Sequence, residues 1–216
     1  MLSLMRSFTG FELILACIAL LITLVVSLSA HEYAHAFVAN LNGDDTAKKA
    51  GRLTLNPLAH LEPFGFFAAM FFGFGWAKPV PINSMKFRKY KKGMAWVSVA
   101  GVLVNLTLAF IFGAVYVVLF KFTLISNNFL FLIYHIAEFM LVLNSCLFIF
   151  NLLPIYPLDG FNFVTTFLKY DNQYTLFMKK YGHFVLLGVL LFLSPVILSL
   201  IDAVISPILM FWSWII

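Results

Sequence analysis

The sequence predicts an all-α polytopic membrane protein of about four to five transmembrane helices plus a short re-entrant or embedded hairpin. Three observations predict it. Of the 216 residues 62% are hydrophobic and 11% charged, against roughly 25% charged residues in soluble domains. Mean hydropathy is +0.98, and several apolar runs approach or exceed the ~20 residues a helix needs to cross a bilayer. The basic residues, finally, gather in one stretch instead of spreading along the chain. Their excess, 14 Lys and Arg over 9 Asp and Glu, marks cytoplasmic loops in such a protein rather than a nucleic-acid partner.

The apolar segments fall at about 11–42, 63–76, 93–120, 128–150 and 181–213. Arg6, the first run and the small residues Ser27, Ser29 and Ala30 have the look of a cleavable signal. The run exceeds the usual h-region, however, and cleavage would strip the next segment from its helix. The first helix is expected to stop at Asn42-Gly43, a helix-ending pair. The second segment, "PFGFFAAMFFGFGWAKPVP", holds only about 14 apolar residues among Gly65, Gly73, Gly75, Pro63 and Pro79. It is too short to span, which predicts an embedded hairpin. If so, Lys48, Lys49, Arg52, Lys78, Lys86, Arg88, Lys89, Lys91 and Lys92 share one side, joined after two spans by Lys169, Lys179 and Lys180. Only Arg6 and Lys121 remain opposite, so the positive-inside rule places the twelve in the cytoplasm. Pro195, Asp202 and Pro207 interrupt the last segment, which reads as one span with a surface tail or as two short spans. Trp212 and Trp214 read there as interfacial anchors.

"SAHEYAHAFVAN" (29–40) places His31 and His35 four residues apart, on one helical face and able to reach one metal ion. Glu32 lies about 100° around that helix, beside the ligand face, where a general base belongs; H-E-x-x-H on a helix is the zinc-protease form of this arrangement. Ionisable residues inside a membrane-grade run are expensive and point to function. Cys17 lies about 21 Å along the helix from His31 and cannot share its metal. Cys17 and Cys146 both read as buried thiols.

A catalytic zinc takes three protein ligands and keeps one open position. Glu12 is about 29 Å from His31, Glu62 borders the short segment, Glu138 pairs at i+3 with His135, and Asp202 sits between prolines. Asp159 differs. It lies in "NLLPIYPLDG" (151–160), where Pro154 and Pro157 break the helix and Gly160 permits close backbone approach. Irregular backbone at membrane depth is tolerated where it is buried or lines a cavity. By the topology above, Asp159 falls at a depth similar to the histidines, near the cytoplasmic side.

Together, H-E-x-x-H and N-x-x-P-x-x-P-L-D-G resemble the site-2 protease family of intramembrane zinc metalloproteases, most nearly its short bacterial branch. "GRLTLNPLAHLEPFG" (51–65), "GWAKPVPIN" (75–83) and "AGVLVN" (100–105) are similar to segments of that branch, so the resemblance covers most of residues 20–165. It implies one zinc per chain held by His31, His35 and Asp159, with Glu32 as catalytic base. Asn151 would bind the substrate backbone or the oxyanion, and Asn105 stands where the family often has asparagine. Val102, Tyr156 and Phe161 depart from the family's usual proline, proline and glycine, which touches local shape and not the ligands. His60 is expected to make a structural hydrogen bond, and His135 and His183 to serve in the bundle.

The resemblance further implies one membrane-embedded metalloprotease domain over 1–216, with a catalytic core at about 11–170 and a C-terminal span and tail at 181–216. The substrate would be a transmembrane protein cut within the lipid bilayer of a bacterial plasma membrane, in regulated intramembrane proteolysis. A non-hydrolytic metal carrier, sensor or degenerate protease could use two histidines and an aspartate, but has no need of Glu32 between them.

Overall fold

The computed structural model describes residues 8, 10–60, 62–65, 68, 78–122, 127–169 and 172–216. Six helices dominate them: α1 (Phe11–Leu41), α2 (Tyr90–Lys121), α3 (Asn128–Leu152), α4 (Asp159–Phe167), α5 (Gln173–Phe192) and α6 (Ser194–Ile215). All but α4 are long and apolar enough to cross a membrane, and the protein is an all-helical polytopic membrane protein. Most of the expected 63–76 hairpin lies outside the described residues.

The ends of the helices follow local chemistry. α1 stops at Asn42, whose backbone N–H returns to Val38 and Ala39 carbonyls, and Gly43 follows at φ +106°, a conformation suited to glycine. α3 begins with the Asn127 side chain accepting from Leu130 N at 2.9 Å and ends ahead of Pro154. The final segment is two helices. The Asn172 side chain starts α5 by accepting from Tyr174 N, and α6 starts at Ser194-Pro195, where proline suits a first turn. Pro207, expected to interrupt, sits inside α6; membrane helices tolerate proline because neighbours can re-satisfy the carbonyl it frees, here that of Ala203. Trp212 Nε1 donates to Phe110 O at 2.8 Å, and Trp214 is exposed.

The core is the bundle of α1, α2 and α3. Lipid offers no hydrophobic drive between helices, so close backbone approach at small residues must supply the packing. Ala16, Ala19, Ala34, Ala36 and Ala39 on α1 are buried, as are Ala100 and Ala109 on α2 and Ala137 on α3. A polar node pins α1 to α3: Asn144 Nδ2 donates to Ser27 Oγ at 2.8 Å, and Ser27 Oγ–H points at Met140 Sδ. Ser27 is one turn before His31, so this node sets the height of the histidines. α6 packs on α2 and α3 through Ala109, Leu141 and Ile208.

Candidate metal centre

Three elements bring the site together. His31 and His35 project from the last third of α1, and both are buried. Asp159 opens α4, where a carboxylate complements the positive end of the helix. It reaches the histidines because α4 begins hard against the end of α3. A Cβ on Gly160 would stand 2.5 Å from Leu153 O, with the Leu152 carbonyl also in its way, so glycine alone permits this approach.

The ligand atoms converge. His31 Nε2 and His35 Nε2 are 3.0 Å apart, and Asp159 Oδ2 is 3.2 Å from each. His31, His35 and Asp159 form the one group of three potential metal ligands among the described residues. A zinc bound tetrahedrally with bonds of 2.0–2.1 Å places its ligands about 3.3 Å apart, close to this triangle.

The hydrogen bonds around the triangle suit it to a cation. His35 Nδ1 faces the Val97 carbonyl at 2.7 Å; a carbonyl can only accept, so Nδ1 carries the proton and the neutral ring presents a lone pair at Nε2. His31 Nδ1 lies 3.0 Å from the Asn105 side-chain amide. The amide atom placed there is Nδ2, while Oδ1 of the fully buried Asn105 has no partner; turning the amide over lets Oδ1 accept from His31 Nδ1–H. Asp159 Oδ2 is likewise buried without a donor. With both rings protonated at Nδ1, three lone-pair atoms face one another. A cation bound there would turn that repulsion into coordination, and second partners on both rings are the usual companions of metal-ligating histidines.

Val97, Gly101 and Asn105 form an i, i+4, i+8 stripe on α2 turned toward α1. The middle position has to be glycine: a Cβ on Gly101 would come within 2.5–2.6 Å of His31 Cε1, His31 Nδ1 and His35 Nε2. In the sequence the stripe shows only as the four-residue spacing of Val97, Gly101 and Asn105, the last two within "AGVLVN".

Glu32 Oε2 accepts from Val80 N at 3.0 Å. His60 is fully buried and its Nε2 donates to Thr54 O at 2.8 Å, the structural bond expected of it. His135 Nδ1 meets Glu138 Oε2 at 2.8 Å, again as expected, and the His183 ring packs against Tyr156. Asn151 donates from Nδ2 to Leu147 O on its own helix.

The segment after α1 is sewn to it by Asp44, which is fully buried. Asp44 accepts from Thr46 N at 3.0 Å and from the Thr46 hydroxyl, and from Asn83 N at 2.6 Å. Burial works against its charge, but these donors and the Lys86 ammonium outweigh it and hold the carboxyl below the usual range. Arg88 N closes the same seam on Asn42 O.

Among curated proteins, the chain is 46% identical over 146 residues to "Putative zinc metalloprotease YwhC" of Bacillus subtilis (strain 168), a match covering 67% of this chain and 67% of that protein. No family model matches the chain, and no solved structure matches it.

Proposed function

The chain belongs to the zinc metalloprotease family of its Bacillus relative, and we propose that it is an intramembrane zinc endopeptidase of the site-2 protease type. It cuts peptide bonds in or near the transmembrane segments of other membrane proteins, within a bacterial plasma membrane and as a step of regulated intramembrane proteolysis. One observation carries the reading: three potential ligand atoms, His31 Nε2, His35 Nε2 and Asp159 Oδ2, meet at 3.0–3.2 Å within a bundle of membrane-grade helices.

When bound, zinc supplies a Lewis acid that polarises the scissile carbonyl and acidifies water. His31, His35 and Asp159 hold it, each oriented by its own support: Asn105, Val97 and the Gly160 contact. Glu32 is the general base. Its Oε2 is fixed by Val80 N–H, which leaves the other carboxylate oxygen to take a proton from the attacking water and pass it to the leaving amine. Asn151 closes the last turn of α3 and offers Nδ2 to the developing oxyanion once it leaves Leu147 O, a role worth a few kcal/mol in comparable sites, roughly 2.7–4. A helical substrate has its carbonyls bonded internally, so it must unwind locally before attack.

Protein reconstituted in liposomes with a labelled single-span peptide tests the reading. Wild type should cleave the peptide within its apolar segment, and a chelator, His31→Ala or Asp159→Ala should each abolish cleavage. Zinc bound tightly by wild type without hydrolysis of any spanning substrate would instead favour a non-hydrolytic metal carrier or sensor.

A further inference from the structure

We propose that Arg52 is a positioning residue for Glu32, acting through the backbone of residues 78–80; the proposal rests on Glu32 being the general base. The segment Lys78-Pro79-Val80-Pro81 has a single-donor design. Proline has no N–H and fixes φ near −65°, so between Lys78 and Ile82 the Val80 N–H is the one backbone donor. That donor goes to Glu32 Oε2.

The segment has no helix or ladder of its own to stiffen it. Lys78 N donates to His60 O at 2.9 Å, and the Val80 side chain packs with Ala36, Ala47 and Leu53. The strongest hold is Arg52, which is buried. Its Nη2 donates to Lys78 O at 2.7 Å and to Pro79 O at 3.2 Å, and its Nη1 donates to Ala59 O.

The Pro79 carbonyl and the Val80 N–H belong to one planar peptide unit, pointing to opposite edges of it. Fixing Pro79 O therefore aims the Val80 N–H, and the N–H in turn fixes one oxygen of the Glu32 carboxylate. Arg52 touches neither the ligand atoms nor Glu32; it sets the base from two bonds away. A lysine ammonium has three donors on one atom and cannot reproduce the planar fork that spans carbonyls on both sides of the guanidinium.

The test compares wild type, Arg52→Lys, Glu32→Asp and the double variant as full-length proteins on one single-span peptide substrate. Glu32→Asp keeps a carboxylate but withdraws it from Val80 by one methylene. Arg52→Lys should lower kcat about 10- to 100-fold, the range expected when a reacting group is misplaced by up to 1 Å, with KM and zinc content unchanged. The double variant should be no slower than Glu32→Asp, because the link is already cut there. In chelator-treated protein, amide exchange at Val80 should accelerate in both Arg52→Lys and Glu32→Asp. Wild-type kcat in Arg52→Lys, losses that multiply in the double variant, zinc loss in Arg52→Lys, or unchanged Val80 exchange would each overturn the proposal. If Glu32→Gln itself cleaves at the wild-type rate, the base assignment fails; an inactive Glu32→Gln beside a fully active Arg52→Lys removes only the role of Arg52.

Discussion

Gly101→Ala places two physical effects in opposition. In a helix interior, alanine is favoured over glycine by about 0.5–1 kcal/mol, so α2 alone should gain. The new methyl, however, arrives 2.5 Å from His31 Cε1 and 2.6 Å from His35 Nε2, where ordinary contact begins near 3.4 Å. One ring or both must retreat by roughly 0.9 Å, the difference between those distances. Retreat is opposed because it stretches each ring's bond to the same helix: Nδ1 of His35 is tied to Val97 O at 2.7 Å and Nδ1 of His31 to Asn105 at 3.0 Å. A triangle with edges of 3.0–3.2 Å cannot take that shift and still close on one ion. Disturbing such supports costs about 10- to 100-fold in metal affinity, or about 1.4–2.7 kcal/mol. Zinc competition against a chromophoric chelator reads it directly. Gly188→Ala is the control, since a Cβ there meets nothing within 4 Å; it should keep the helix gain and the wild-type affinity. Unchanged zinc affinity in Gly101→Ala would refute the claim that this stripe of α2 shapes the site.

Three further outcomes are expected. Asn105→Ala, which leaves His31 Nδ1 without its partner, should weaken zinc by about 10- to 100-fold with little change in α-helical circular dichroism. The Asp44 carboxyl is held below its ordinary value of 3.8 by its donors, so its stabilisation is complete above about pH 4 and is lost as pH falls through the lowered folded value; Asp44→Asn should flatten that acid limb in thermal melts. Cysteines placed at Asp45, Ser84 and Asn172 should all resist an impermeant thiol reagent applied outside intact cells, and labelling at Asp45 with protection at Ser84 would show that 63–76 crosses the bilayer.

The boundaries of α1, α2 and α3 were legible because apolar runs and turn residues such as Asn42-Gly43 and Pro154 are local signals. The division at Leu193 was half legible: Pro195 announced a break, but Pro207 carried the same signal and sits inside a helix, since tertiary context decides whether a membrane proline interrupts. The His31 and His35 pair was readable from i, i+4 spacing, and the meeting with Asp159 from shared depth. What could not be read is support delivered by backbone. The Val97 carbonyl, the Val80 N–H and the clearance at Gly101 carry no side-chain signature, and their action depends on how α2 and the 78–80 segment lie against α1. Arg52 was counted as a cytoplasmic charge; its burial against three carbonyls comes from long-range packing that composition does not encode.

The most direct test of the account is the cleavage rate of Glu32→Gln measured on protein whose zinc content matches wild type. Glutamine keeps the size and the reach to Val80 N–H but cannot take the water proton as a carboxylate does. Zinc should stay bound while hydrolysis of a single-span substrate falls by about 10²–10⁴-fold or more. A zinc-loaded Glu32→Gln protein that cleaves the same substrate at the wild-type rate would contradict it.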